Sequence, residues 1–195
     1  MTTVFFTSLH CRHPELECWF ILGEAGAIHA SFLPAEHRRG LAILQRQALA
    51  PPGGGGPYRL VSPAHQKLRE GARVINRRFE AYLEGEEEDF LQPPPSPFLL
   101  AGSTFQQRVW ARITRIPAGE TRTYGEIGES LGSRSLARAV GRACGANPCP
   151  LLIPCHRVVA AAGPGGFSGG GTKIKEILLA RERRFSAAYH KVGTW

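Results

Sequence analysis

The chain reads as an α+β protein. A small sheet-plus-helix domain spans residues 1–98, a mostly helical domain with a helix-turn-helix spans 99–185, and a short tail follows over 186–195. Three observations point there. Apolar and polar residues alternate loosely through residues 1–34, the period of half-buried strands. From residue 68 on, apolar residues return at steps of three and four, the period of a helix face. Between the two parts, QPPPSPF at 92–98 is a stiff, proline-rich connection and marks the boundary.

The elements follow in order. Cys18 to Leu22 and Ala27 to Leu33 read as strands, with a turn between Gly23 and Gly26. PPGGGGP at 51–57 is a loop or linker. Ser62-Pro63 has the form of an N-cap followed by proline at the first helical position. Leu68, Ala72, Ile75, Phe79 and Tyr82 then make one apolar face, and the acidic run Glu84 to Asp89 is a solvated segment beyond it. Thr104 and Gln107 match a capping box for a helix carrying Phe105, Val109 and Ile113. Thr123 and Glu126 match a second, opening a short helix through Leu131. Gly132 permits a tight turn, and a helix with Leu136, Val140 and Ala143 on its apolar face follows. Two short helices about a glycine turn form a helix-turn-helix pattern, which many proteins use without touching DNA.

Composition bounds the function. Hydrophobic residues make up 43%, a globular value. No run is long and apolar enough to cross a membrane, and MTTVFFTSLHCRH lacks the basic start of a signal peptide. Five cysteines are an odd number, which speaks against a disulfide framework and for a reducing, cytoplasmic setting. The net charge of +8 is segregated: residues 1–98 carry ten Lys/Arg against eleven Asp/Glu, residues 99–195 fourteen against five. A basic half suggests a polyanionic partner, nucleic acid first, with a solubilising surface as the alternative. Arg134, Arg138 and Arg142 follow at i, i+4 and i+8 as a basic stripe that is either a solvated face or a DNA contact. Ala139 and Gly141 would let that helix approach a backbone closely.

The chemistry lies in Asn147-Pro148-Cys149-Pro150-Leu151-Leu152-Ile153-Pro154-Cys155-His156-Arg157-Val158-Val159. Three prolines predict an extended, non-helical segment. A lone cysteine is most often an inert small hydrophobe. A free thiol, with a pKa near ~8.5, is little ionised at neutral pH, and a neighbouring imidazole or cation raises that fraction. His156 and Arg157 are therefore fitting company for a reactive Cys155. Adjacent residues of an extended segment point oppositely, so His156 would reach the thiol through a water.

Residues 103–182 resemble the O6-alkylguanine-DNA alkyltransferases through TFQQRVW, IPAGETRTYGEIG, SLARAVGRACGANP, PLLIPCHRVV, GFSGG and KEILLARE, in that order. The resemblance is much fainter over residues 1–98. It implies a winged-helix-like C-terminal domain behind a small sheet with helices. It implies Cys155 as the nucleophile, His156 as the base acting through a bridging water, and Glu182 as the carboxylate orienting His156. Tyr124 would donate to the purine N3, and Asn147 would join the recognition helix to the active segment. Val158, Ser168, Pro150 and Phe167 would line the base pocket. Arg138 would enter the stack where the flipped nucleotide was, and Arg134, Arg142, Ala139, Gly141, Ser135 and Thr123 complete the expected DNA contacts. Double-stranded DNA with alkylated bases is the implied partner of a monomeric protein that needs no cofactor. The chain departs from the family pattern in one extra residue within Gly169-Gly170-Gly171 and in Phe167 at a position often held by tyrosine; both bear on the pocket rim.

Two other classes compete with this reading: a DNA-binding module without transfer chemistry, which would lack the cysteine, and a cysteine hydrolase, which the basic half and the helix-turn-helix disfavour. Some relatives hold zinc in the N-terminal domain. His10, Cys11, His13, Cys18 and His29 match no zinc spacing, so no metal is expected.

Overall fold

The computed structural model describes residues 4–14, 16–23, 28–32, 58–60, 65–66, 68–86 and 102–192. The expected turn after Gly23, the 51–57 loop, Ser62-Pro63, the acidic run beyond residue 86, the 92–98 connection and residues 193–195 lie outside them.

Strands β1 (Val4–His13), β2 (Leu16–Gly23), β3 (Ile28–Phe32) and β4 (Tyr58–Leu60) form one sheet in the order β3-β2-β1-β4. β1 runs antiparallel to β2, with Cys11 opposite Cys18, and parallel to β4. Leu16, Cys18 and Phe20 alternate along β2 and are all buried, the period-two pattern of a half-buried strand. Helix α1 (Arg69–Glu84) covers that face. Its Leu68-to-Tyr82 face is buried as the periodicity predicts, and Phe79 meets Phe20 edge-on at 5.9 Å. The helix opens at Leu68 and closes at Gly85, which donates to the Ala81 carbonyl and whose positive φ lets the Glu86 N–H reach the same carbonyl at 2.8 Å.

Helix α2 (Thr104–Ile113) begins one residue earlier than the Thr104/Gln107 pattern suggests. Ser103 is the true cap, exchanging hydrogen bonds with Gln106. The Thr123/Glu126 box is present and opens α3 (Tyr124–Glu129). A 3-10 turn (Arg134–Leu136) then leads into α4 (Ala137–Gly145). Gly132 takes φ 120°, and a Cβ on Gly128 would come within 2.9 Å of the Ser133 carbonyl, so a side chain there would push the two helices apart. Trp110 ties α2 to α4 by donating to the Ala143 carbonyl at 2.9 Å.

The 147–157 segment is a correction to the expected extended run. It winds through turns, Ile153 N–H donating to the Cys149 carbonyl at 2.8 Å, and Cys155–Arg157 form a 3-10 turn. Asn147 causes this. Its Oδ1 accepts from the Cys149 N–H at 2.9 Å and its Nδ2 donates to the Ile153 carbonyl at 2.7 Å, so one amide holds both ends of the bend. Short strands β5 (Arg122–Thr123) and β6 (Val158–Val159) pair in parallel beside it. Helix α5 (Thr172–Val192) ends the described chain and runs through residue 186, where the tail was expected to begin. Among the described residues no helix is long and apolar enough to cross a membrane, and no three His, Cys, Asp or Glu side chains gather as metal ligands.

Candidate active site

The 3-10 turn places Cys155, His156 and Arg157 in one buried turn; Cys155 is 4% exposed. The Cys155 Sγ lies 3.0 Å from Asn147 Nδ2, an N–H that stabilises a thiolate more than a thiol. His156 gives one nitrogen to Glu182, Nε2 to Oε1 at 2.8 Å. Its Nδ1 is buried and has no hydrogen-bond partner among the described residues, so its lone pair is free to take a proton. A carboxylate on Nε2 fixes that tautomer and steadies the charged ring that results.

Glu182 is wholly buried on α5. Its Oε1 accepts from Tyr82 Oη at 2.7 Å and Arg157 Nη2 at 2.7 Å, besides His156. Its Oε2 accepts from Arg157 Nε at 2.9 Å and the Gly119 N–H at 3.4 Å. Burial alone would raise its carboxyl, but His156 and then Arg157 hold it well below the usual carboxylate range. Arg157, close to the thiol in sequence, aims its guanidinium at the carboxylate. Its guanidinium serves Glu182 and donates through Nη1 to the Ile116 carbonyl at 2.6 Å.

Tyr124, the first residue of α3, donates its phenol to the Gly166 carbonyl at 3.2 Å. Burial, with the Cys144 and Cys155 thiols adding to it, pushes the phenol up to about 12, so it stays a donor at neutral pH. Lys175 donates to the Val158 carbonyl at 2.6 Å and to the Gly166 carbonyl at 3.2 Å, pinning the stretch that faces Tyr124. Gly165, at φ 71°, lies where a Cβ would press the phenol oxygen at 3.2 Å. Val158 and Pro150 are buried, Phe167 is half-buried against the core, and Ser168 is exposed. Cys144 is buried, and burial, then the neighbouring Cys155, raises its thiol.

Arg134, Arg138 and Arg142 are all exposed. Arg134 precedes α4, in the 3-10 turn, and faces Glu129 at 3.6 Å, so the stripe bends at its start. Ala139 and Gly141 are half-buried; Ser135 is exposed, its hydroxyl 2.8 Å from that of Ser133. The Thr123 hydroxyl is engaged in the cap of α3, donating to Glu126 at 2.7 Å.

The family model for the 6-O-methylguanine DNA methyltransferase, DNA binding domain, matches residues 104–184. The methylated-DNA–protein-cysteine methyltransferase of Mycolicibacterium paratuberculosis is 43% identical over 137 residues, covering 67% of this chain and 81% of that protein. The chain belongs to the methylated-DNA–protein-cysteine methyltransferase family. The likeness to solved structures extends over nearly the whole chain. The crystal structure of Mycobacterium tuberculosis O6-methylguanine methyltransferase superimposes with a TM-score of 0.68 at 27% identity, covering 98% of this chain and 99% of that one. Mycobacterium tuberculosis OGT in complex with DNA gives 0.66 at 28% identity, over 93% and 94%.

Three further groups meet this site that the sequence did not single out. Lys175 opens the KEILLARE stretch, but that match gave it no role. Tyr82 looks like one more core position on an apolar face. The Gly119 N–H is invisible to side-chain reading altogether. The expected set of Asn147, Cys155, His156 and Glu182 does come together, within direct hydrogen-bond contacts at Cys155–Asn147 and His156–Glu182.

Proposed function

We propose that this protein repairs DNA by flipping O6-alkylguanine out of the duplex and moving the alkyl group irreversibly to its own Cys155. The observation that carries this is the relay at the thiol. Sγ has an Asn147 N–H beside it, and His156 has a free Nδ1 and a carboxylate on Nε2. The Cys155 proton passes through a bridging water to His156. The thiolate attacks the saturated carbon on O6, the S–C bond forms and the C–O bond breaks. Guanine leaves with the electron pair and takes up a proton, and Tyr124 donates to the purine N3 to ease the build-up of charge. The product thioether has no carbonyl for water to attack, so each molecule acts once.

A thiol 4% exposed cannot meet a base still stacked in a duplex, so extrusion must come first. The α3–turn–α4 pair serves as the helix-turn-helix, with Ala139 and Gly141 against the minor groove, Arg138 in the vacated stack, and Arg134, Arg142, Ser135 and Thr123 toward the backbone. Val158, Pro150, Ser168 and Phe167 surround the flipped base. Residues 99–185 carry this chemistry as one domain, residues 1–98 form a second, and the protein works as a monomer in the cytoplasm, or in the nucleus of a eukaryote. Intact-protein mass spectrometry after incubation with O6-methylguanine duplex tests the reading. One methyl per molecule on Cys155 is expected, and none in Cys155→Ser, which should still bind DNA. Transfer surviving in that variant, through Cys149 or Cys144, would overturn the assignment.

A further inference from the structure

We propose that Tyr82, contributed by the N-terminal half, is a positioning residue that limits how firmly the protonated ring of His156 is held, and so sets how far into acid the transfer reaction runs. The proposal rests on His156 taking the Cys155 proton. Tyr82 is 1% exposed on α1 and its phenol reaches Glu182 across 100 positions of sequence, at 2.7 Å. It meets Oε1, the same oxygen that accepts from His156. Five donors converge on this one carboxylate: Tyr82, His156, two from Arg157, and Gly119. A carboxylate offers about four lone-pair sites, so the donors compete for the same charge. Each one that draws on Oε1 leaves less for the imidazole N–H.

The groups that bear on this balance can be named. Arg157 lies on the same 3-10 turn and Gly119 on the loop before β5; both are polar anchors that do not exchange protons in the working range. Cys155 precedes His156, and Lys175, earlier on α5, is engaged with the Val158 and Gly166 carbonyls. Tyr82 is the donor that can be removed without altering a charge. Its ring packs in a face already held by Ile75, Phe79 and Leu83, so Tyr82→Phe keeps the core.

With the phenol hydrogen gone, Oε1 turns its full charge on His156. The charged ring is then held more firmly, and the neutral ring that must accept the thiol proton becomes scarcer. The test uses full-length protein and single-turnover transfer from O6-methylguanine duplex across the pH range. For Tyr82→Phe the rate near about pH 6 should fall roughly three- to tenfold, while the rate near about pH 8.5 stays within about twofold, because a tenfold change corresponds to one pH unit. Replacing Tyr82 by 3-fluorotyrosine, a stronger donor, should move the acid limb the other way. An equal fall at both pH values would make Tyr82 a support of the fold only, and unchanged profiles in both variants would remove it from the relay. Either result overturns the proposal and leaves Cys155 as acceptor intact. A wild-type protein that gains no methyl on Cys155 is the separate failure, that of the function itself.

Discussion

Glu182→Gln removes one charge and almost no volume, yet its cost should be large. Arg157 donates to both carboxylate oxygens, Nε to Oε2 at 2.9 Å and Nη2 to Oε1 at 2.7 Å. Whichever way the glutamine amide turns, its NH2 faces a guanidinium N–H, and the buried arginine loses its counter-charge. Removing one partner of a buried pair costs about 3–5 kcal/mol. A chain of this length shifts its Tm by about 2–4 °C per kcal/mol, so a fall of roughly 6–20 °C is expected in thermal unfolding. The pH dependence gives a second reading. Glu182 has its folded pKa lowered from the ordinary 4.5, so its stabilisation is complete above that value and is lost as pH falls through the folded pKa. The gap between wild type and Glu182→Gln should therefore be full at neutral pH and narrow below about pH 4.5, measured by urea denaturation at several pH values. Transfer to Cys155 should drop by about 10²-fold or more, as when a general base loses its orienting partner. A Tm within about 2 °C of wild type, or a gap that ignores pH, would refute the buried-pair account.

If Arg138 fills the gap left by an extruded base, Arg138→Ala should slow repair of duplex DNA far more than reaction with free O6-alkylguanine, which needs no flipping. Arg138→Lys should rescue poorly because it lacks the planar guanidinium; equal slowing on both substrates would assign the residue to the pocket or the fold. Arg142→Ala or Arg134→Ala should weaken binding alike on any sequence and reduce the salt slope by about one, read from affinity against salt concentration. A salt-independent affinity would make the arginine stripe an ordinary solvated face.

Much of the fold was legible because its signals are local. The Thr123/Glu126 box, the Leu68-to-Tyr82 face, the alternation in β2 and the glycine at the turn each depend on residues a few positions apart, and each is present. Where two caps were adjacent, Ser103 won over Thr104, a choice that sequence leaves open because both hydroxyls and both glutamines, Gln106 and Gln107, offer the same pattern. The prolines of 148–154 suggested an extended run; they do exclude a helix, but they leave turns available, and the Asn147 amide selects those turns.

The sequence by itself determined that Cys155 and His156 are neighbours in one segment, that the C-terminal half is basic, and the family. The resemblance already set Glu182 beside His156; only the tertiary structure added Tyr82, Arg157 and the Gly119 N–H around it. The carboxylate is 26 positions from His156 and 100 from Tyr82, and no periodicity spans such gaps. It also set the Arg157 guanidinium on the carboxylate and the Lys175 ammonium on the Val158 and Gly166 carbonyls. The physical reason is common to all of these. A charged group in a dry interior must find every one of its partners there, and which partners lie within 3 Å is settled by how the elements pack rather than by their order along the chain.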